Sequence, residues 1–376
     1  MRAKVLGRRT FLVAGGAMLA SCGPNRSHGF EGYAFVANEE GRAIAAVDLS
    51  AFAVARHIPL DGRPTEVIAP SEGTSVYALT PENGTIQEIN TSNLTLRRAA
   101  RVAPSALSMR LAREGNCLWV LAARPGKLVK ARTDSLRAEG DIPLPADPAA
   151  YDLSRDGKLA AVSFGDEGSF ALVDLEARKV TRRIRVSDSI GTVQFRSDDR
   201  SVLVANRAAR MLSIYDTATA RVVTHLPLAV RPDHFCVRSD GGQLFITGEG
   251  ADAVVVVYPH KTPVVAETVL AGRAPAVMGV STGRPDYLFV TNPATGSVTI
   301  LDIATRRPVS TVSVGAEPGY VTETPDGQYA LVLNRRSGDM AVIRIAVIAA
   351  RRKRFAPLFT MIPVGSKPVC AAVKAI

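Results

Sequence analysis

The residues that could carry out chemistry are few and are scattered along the chain. Five histidines and four cysteines occur in 376 residues, and no His, Cys or Asp cluster has the spacing of metal ligands. The sequence has no C-x-x-C, C-x-x-C-H, G-x-S-x-G or P-loop motif, and no dinucleotide-binding glycine motif in a βαβ setting. No linear motif therefore indicates a catalytic residue, a metal site or a cofactor, and any site must be assembled by the fold.

A repeat of 42 residues organises the chain after its N-terminal segment, with one interval of 44. Half of the copies have aspartate at one fixed position. The eight residues at this position are Asp48, Asn90, Arg132, Asp174, Asp216, Tyr258, Asp302 and Arg344. Each copy holds four short apolar segments bounded by Gly, Pro, Asn or Asp, a pattern typical of β-strands. Four strands at this period predict the blade of a β-propeller, since one blade cannot bury both faces and must stack in a ring.

The two ends of the chain predict how this ring closes. We name the strands of a blade A to D from the centre outwards. The first B segment starts at Tyr33 with no A segment before it, and the last A segment, Lys367–Ile376, has no B segment after it. We therefore expect the C-terminal strand to be the innermost strand of blade 1, where it covers an open edge. Residues 33–376 then form a single all-β propeller of eight blades; seven is the alternative if a weak copy, such as that holding Leu118–Ala122, has another role.

Several segments carry a resemblance to a known family. They are VTN at Val290–Asn292, ILDIAT at Ile300–Thr305, VSTVSVG at Val309–Gly315 and TPDG at Thr324–Gly327. They resemble the YVTN β-propeller repeat family, and the resemblance extends over residues 33–376. It implies a propeller fold and an envelope protein of bacterial or archaeal type. The family has no single activity, so the resemblance implies no substrate.

The expected ring separates the histidines. His57 and His225 would lie on the outermost strands of blades 1 and 5, which are opposite each other, so they cannot share a metal. His260 would lie in a connection between strands C and D. Only His234, at the start of an A segment, could face the central channel. The repeated aspartates end strand C, where we expect them to accept hydrogen bonds from the backbone of the following turn.

One face of the propeller is the expected place for a ligand. The D–A and B–C loops surround the channel mouth, and loops on a rigid scaffold commonly carry function. Arginines are frequent in these loops, including Arg207 and Arg335, and guanidinium groups bind carboxylate or phosphate. The sequence thus predicts an anionic ligand here, with a solvated charged face as the alternative. The candidate ligand-binding residues are Arg63, Arg231, His234, Arg273, Glu317 and Lys367.

The N-terminal segment resembles an export signal. Residues 1–21 carry four cations and no acid, and they include the apolar run Phe11–Ala20, which is too short to span a bilayer. Arg8–Leu12 resembles a twin-arginine signal and Leu19–Cys22 resembles a lipobox, with Cys22 as the lipid attachment point. We expect cleavage before Cys22, a tether over residues 22–32 and anchoring on the periplasmic side of the bacterial envelope, with Gly23 favouring the outer membrane. Cleavage lowers the net charge from +11 to +7.

Three cysteines remain after lipid attachment, and their positions predict buried thiols. Cys236 and Cys370 lie in A segments, where small apolar side chains pack well, and we expect Cys117 to be buried as well. Three is an odd number, so in an oxidising compartment at least one must stay unpaired.

Two functions from different classes fit these expectations. The first is a monomeric, lipid-anchored binding or scaffold module for a protein, a polymer or a small anionic ligand. The alternative is a propeller enzyme or cofactor-handling protein, lactonase-like or related to haem and quinone propellers, with its site at the channel mouth and His234 as the candidate axial ligand. Nucleic-acid binding is disfavoured because aromatic residues are 6% of the chain and there is one tryptophan, so no stacking platform is evident.

Overall fold

Each copy of the repeat folds into a four-stranded antiparallel sheet, and eight such sheets form a β-propeller. The structure is a computed structural model that describes residues 29–283, 286–349 and 356–376. The expected export signal, Cys22 and most of the tether lie outside these residues. Within them, no helix is long and apolar enough to cross a membrane.

The first four blades follow one another along the chain. Their strands are β1 (Gly32–Asn38), β2 (Ala43–Asp48) and β3 (Ala53–Pro59) in blade 1; β4 (Glu66–Ile68), β5 (Ser75–Thr80), β6 (Thr85–Asn90) and β7 (Thr95–Arg101) in blade 2; β8 (Ala106–Leu111), β9 (Cys117–Ala122), β10 (Lys127–Arg132) and β11 (Ala138–Pro143) in blade 3; and β12 (Ala150–Leu153), β13 (Leu159–Phe164), β14 (Ser169–Asp174) and β15 (Lys179–Arg185) in blade 4.

The last four blades have the same order. Their strands are β16 (Ile190–Phe195), β17 (Ser201–Asn206), β18 (Met211–Asp216) and β19 (Val222–Pro227) in blade 5; β20 (Arg231–Val237), β21 (Leu244–Glu249), β22 (Ala253–Tyr258) and β23 (Val264–Leu270) in blade 6; β24 (Met278–Val280), β25 (Tyr287–Asn292), β26 (Ser297–Asp302) and β27 (Arg307–Ser313) in blade 7; and β28 (Pro318–Glu323), β29 (Tyr329–Asn334), β30 (Asp339–Arg344) and β31 (Leu358–Pro363) in blade 8, followed by β32 (Pro368–Ala375).

Eight blades confirm the main prediction and exclude the seven-bladed alternative. The weak third copy is a regular blade, in which β9 includes Leu118–Ala122. Two 3-10 turns, Pro81–Asn83 and Pro293–Thr295, and a short helix, α1 (Ile345–Ala349), interrupt the β-structure. The helix follows the last C strand, in the copy whose connection to strand D is longest, and the sequence pattern did not predict it.

The hydrophobic core lies between blades. B strands such as β17 are buried along their whole length, because both faces pack against neighbouring blades. D strands form the outer edge and are mostly exposed, as in β15, where Lys179, Arg182 and Arg183 face solvent. Charged residues on an exposed edge strand discourage pairing with another chain.

The repeated aspartates stabilise the turns between strands C and D, as the sequence predicted. Asp48 Oδ1 accepts hydrogen bonds from the backbone N of Ser50 at 2.8 Å and of Ala51 at 3.1 Å. Asp302 Oδ1 accepts one from Thr305 N at 2.8 Å. Hydrogen bonds from the backbone and side chain of Thr219 lower the pKa of Asp216 in the equivalent turn. These carboxylates are therefore turn-forming groups.

The ring closes through the chain ends. β32 pairs with β1 in antiparallel register from Gly32–Ala375 to Asn38–Pro368, which confirms that the C-terminal strand is the innermost strand of blade 1. Asn38 Nδ2 donates to Val364 O at 2.7 Å across the same junction. Lys374 is only 6% exposed, and its Nζ donates to the backbone carbonyls of Pro70, Ser71 and Glu72. This lysine ties the closing strand to the A–B turn of blade 2.

Replacing Lys374 tests how much this contact contributes to closure. We expect Lys374→Met to lower the free energy of unfolding by roughly 1–3 kcal/mol, because the carbonyl groups of Pro70, Ser71 and Glu72 lose their charged donor. Urea unfolding followed by circular dichroism measures the effect. Lys179→Met on the exposed strand β15 is the matched control, and equal stability of the two variants would show that the Lys374 contacts contribute nothing.

Candidate functional site

Four of the six candidate residues form two pairs around the channel mouth, and the other two lie apart from them. Arg231 and His234 belong to β20 in blade 6. Glu317 and Lys367 line a cavity of about 560 Å³ between blades 8 and 1. Arg63 and Arg273 are exposed loop residues, and neither lines any of the cavities described below. The candidate residues thus share one face but do not converge on one point.

His234 is the candidate residue that belongs to two adjoining cavities. The register of β20 shifts between Pro232 and His234 where it pairs with β21. The imidazole is accessible to solvent and lines two adjoining cavities. One has a volume of about 990 Å³ and lies over blades 4 and 5; the other, of about 560 Å³, lies over blades 6 and 7. A ligand in the larger cavity would contact this histidine.

The surroundings of His234 keep its imidazole neutral at pH 7. Desolvation lowers its pKa below the ordinary value, and the positive charges of Arg335 and Arg207 lower it further. Asp233 opposes these effects but does not reverse them. A neutral imidazole is the form that binds a metal.

The side chains next to His234 are held in place by hydrogen bonds. Arg207 Nη2 lies 2.9 Å from Asp233 Oδ1. Thr192 Oγ1 donates to Asp233 O at 2.8 Å, so blade 5 supports the strand that carries His234. The Nε atoms of three arginines are buried and have no hydrogen-bond partner within the described part of the chain; they belong to Arg207, Arg231 and Arg335. A buried donor without a partner is costly, so the protein alone does not satisfy these three side chains fully.

Most acidic groups of the mouth are paired with bases. Asp147 lies 3.5 Å from Arg124, and Glu249 lies 3.5 Å from Arg231. The other paired acids include Asp233, with Arg207, Asp188, with Arg185, Glu167, with Arg183, and Glu39 and Glu40, with Lys367.

Arg335 and Arg336 are the arginines of the mouth that keep a free charge beside a cavity. Both line the cavity between blades 8 and 1, together with the exposed carboxylate of Glu317. Within the described residues, neither arginine has an acidic partner within 4 Å; Arg335 Nη2 donates only to Gly319 O, at 3.3 Å. The sequence analysis placed Arg335 on this face but did not select it. Contacts between blades decide which loop arginines have an acidic partner, and the repeat pattern does not specify these contacts.

The other three histidines of the described residues are structural, and His28 lies outside those residues. His57 and His225 lie on the outer strands β3 and β19 of opposite blades, as predicted. His260 Nε2 lies 2.9 Å from Gly241 O and 3.2 Å from Ser197 Oγ, and its Nδ1 lies 3.9 Å from Asp198 Oδ2. This resembles a Ser-His-Asp arrangement. However, a nitrogen that donates to a carbonyl cannot also accept a serine proton, so His260 connects blades 5 and 6 without forming a nucleophile–base pair.

The cysteines and the acids provide no metal site. Cys117, Cys236 and Cys370 are free thiols, and burial raises the pKa of Cys236 to about 12 and that of Cys370 to about 11. These thiols are protonated and unreactive at neutral pH. In the part of the chain that the structure describes, no three His, Cys, Asp or Glu side chains come together as a metal-binding group.

Comparison with known proteins supports the fold. No protein-family model matches the chain, and no curated protein matches its sequence. The YVTN resemblance therefore stays a prediction. Many solved structures do match. The structure of the dihydro-heme d1 dehydrogenase NirN in complex with DHE matches with a TM-score of 0.76 and 16% identity, over 91% of this chain and 75% of that chain.

Two further solved structures are similar. The hydrazine synthase of Kuenenia stuttgartiensis matches with a TM-score of 0.56 and 17% identity, over 83% of this chain and 92% of that chain. A functionally unknown protein from Desulfotomaculum acetoxidans matches with a TM-score of 0.61 and 10% identity, over 91% of this chain and 99% of that chain. At these identities the likeness shows a shared propeller fold and nothing about activity.

The pKa of His234 tests the electrostatics of this site. We expect it to rise in Arg207→Gln and in Arg335→Gln, because each substitution removes a positive charge that disfavours the imidazolium ion. Replacing Arg207 also frees the Asp233 carboxylate, so the rise should be larger in that variant. NMR titration of the imidazole resonances, assigned with His234→Gln, measures the pKa. Arg63→Gln is the control, and an unchanged pKa in both test variants would contradict the described geometry.

Proposed function

We propose that the chain is a cell-envelope propeller that binds a carboxylate-bearing, metal-containing macrocyclic cofactor at the channel mouth. The observation that carries this proposal is the neutral, accessible His234, which lines two cavities, one of them together with Arg207, and is influenced by the positive charge of Arg335. Export and lipid anchoring at Cys22 are part of the proposal and are supported by the N-terminal sequence alone. The role as a scaffold for a protein or polymer stays a prediction, because no contact within the described residues tests it.

The donor set fits such a cofactor. A bare metal ion needs three or four protein ligands, and the described residues offer no such group. A metal already held by the four nitrogens of a tetrapyrrole needs only one or two axial ligands, and a single histidine supplies one. When bound, the group would supply a redox-active metal. The same residues could bind the cofactor without catalysing a reaction. The proposal is therefore one of binding and includes no reaction.

The arginines fit the carboxylates of the same ligand. Guanidinium groups bind carboxylates through paired hydrogen bonds. Arg207 lines the larger cavity together with His234. Arg335 and Arg336 line the separate cavity between blades 8 and 1 and have no acidic partner within 4 Å in the described ranges, so they could meet only carboxylates that extend towards that side of the mouth. The similarity to NirN in complex with DHE is compatible with this ligand class, but at 16% identity it shows the fold alone, and the proposal rests on His234 and the arginines.

Titration with haemin, iron(III) protoporphyrin IX, tests the proposal. We expect stoichiometric binding with a shifted Soret band in the wild-type protein. His234→Ala should abolish this shift, because the axial ligand is lost. Arg335→Gln with Arg336→Gln should weaken binding about tenfold or more, since a charge-assisted hydrogen bond contributes about 1.5–3 kcal/mol. The control is His57→Ala, on an outer strand. The same spectrum and affinity in His234→Ala and His57→Ala would refute the role of His234.

The pH dependence separates ligation from simple charge attraction. The pKa of His234 is lowered from its ordinary value of 6.5, so the imidazole is neutral at pH 7 and takes up a proton only at lower pH. If His234 ligates the metal, haemin affinity should fall as the pH decreases through this pKa, because the proton competes for the same nitrogen. If the mouth merely attracts anions, affinity should rise, since the new imidazolium adds positive charge. Affinities measured between pH 7.5 and 5 distinguish the two.

A further inference from the structure

A further cavity lies at the end of blades 3 and 4 opposite to the channel mouth. Its volume is about 590 Å³. It is lined by the ends of the A strands, by the A–B turns of both blades and by Leu175 in a C–D turn. Ligand pockets in proteins commonly have about 300–1,000 Å³, with apolar walls and a few convergent polar groups. This cavity has both features.

One wall of the cavity is apolar and contains the single tryptophan of the chain. Trp119 on β9 is 5% exposed, and Leu175 is 6% exposed. Leu111 and Leu153, which are partly exposed, extend this wall towards solvent. The wall offers an apolar surface to a ligand without requiring a large side chain to leave the core.

The rim of the cavity carries two guanidinium groups with no acidic partner. Arg113 and Arg155 are exposed, and within the ranges that the structure describes neither forms an ion pair within 4 Å. Arg113 Nη1 donates to Arg155 O at 3.4 Å, which links the turn of blade 3 to that of blade 4. Asp199 of blade 5 accepts hydrogen bonds from Arg155 N at 2.9 Å and from Asp156 N at 3.0 Å. The turns that display both arginines are therefore fixed before any ligand binds.

The other charged groups of the cavity already have partners in the protein. Arg110 Nη1 lies 3.8 Å from Glu66 Oε1, and its guanidinium lies 5.7 Å from the ring centre of Tyr151. Asp152 Oδ2 accepts a hydrogen bond from Phe195 N at 2.8 Å. At the rim, Asp156 Oδ1 accepts from Ser154 Oγ at 2.7 Å and from Lys158 N at 3.0 Å. Arg113 and Arg155 are thus the cations of the lining without an acidic partner among the described residues, while the carboxylates of Asp152 and Asp156, which accept only from neutral donors, keep their negative charge.

We propose that this cavity binds a small amphipathic anion, with its phosphate or carboxylate group on Arg113 and Arg155 and its apolar body against Trp119. Planar guanidinium groups suit both anions, since they bind either through paired hydrogen bonds. An aromatic body would gain from stacking beside the indole. The site is at the other end of the blades from His234, so it stands independently of the proposed cofactor.

Fluorescence of Trp119 tests the proposal directly, because no other tryptophan contributes to the signal. The probes are phenyl phosphate and benzoate, titrated into the purified full-length protein with excitation at 295 nm. Inorganic phosphate is titrated in parallel as a probe without an apolar body. We expect at least one of the two aromatic probes to give a saturable change in emission, and to bind at least about tenfold more tightly than inorganic phosphate.

Variants assign the response to the cavity. Arg113→Gln with Arg155→Gln should weaken binding of the aromatic probe at least tenfold, since it removes both unpaired cations. Lys179→Gln with Arg182→Gln, on the exposed outer strand β15, is the matched control and should bind as the wild type does. The proposal is overturned by a linear, non-saturable change, by equal affinity in the two double variants, or by equal affinity for inorganic phosphate. Because haemin binding is measured at the mouth, failure here leaves that result unaffected.

Discussion

The structure depends on the pairing between the two ends of the chain. Hydrophobic side chains of each blade are buried only against the next blade, and those between blades 8 and 1, such as Tyr329, Leu331 and Val36, are covered only if the ring closes. The antiparallel pairing of β32 with β1 closes it and removes an exposed sheet edge. The hydrogen bonds of Lys374 and Asn38 secure the same junction. The last ten residues thus complete the core.

Closure also determines where sites can form. All D–A and B–C loops lie at one end of the blades, and all A–B and C–D turns lie at the other. His234, Arg207 and Arg335 come from three different blades and act on one another only because the ring brings those blades around one channel. Arg113 and Arg155 come from neighbouring turns at the opposite end. A rigid ring therefore presents two chemically different surfaces: a histidine with arginines at the mouth, and an apolar pocket with two free cations opposite it.

Much of the fold could be predicted from the sequence, because the 42-residue period and the missing first A strand are local signals. The predicted start of the first B segment at Tyr33 and the predicted last A segment, Lys367–Ile376, agree to within one residue with β1 (Gly32–Asn38) and β32 (Pro368–Ala375). The site was predicted less completely. His234 was selected from its position at the start of an A strand, but Arg63 and Arg273 line none of the described cavities. Pairing between loops of different blades decides which arginines stay free, and a repeat pattern contains no information about it.

The central claim is that the ligand lies at the channel mouth beside His234. Hydrogen–deuterium exchange, measured by mass spectrometry with and without haemin, tests it most directly because it locates the bound ligand on the chain. The account predicts slower exchange in segments 189–192, 206–210, 231–236 and 334–338, with the outer strands β3, β15 and β19 unchanged. Protection confined to the outer strands or to the turns at the opposite end, or no protection at a saturating haemin concentration, would contradict it.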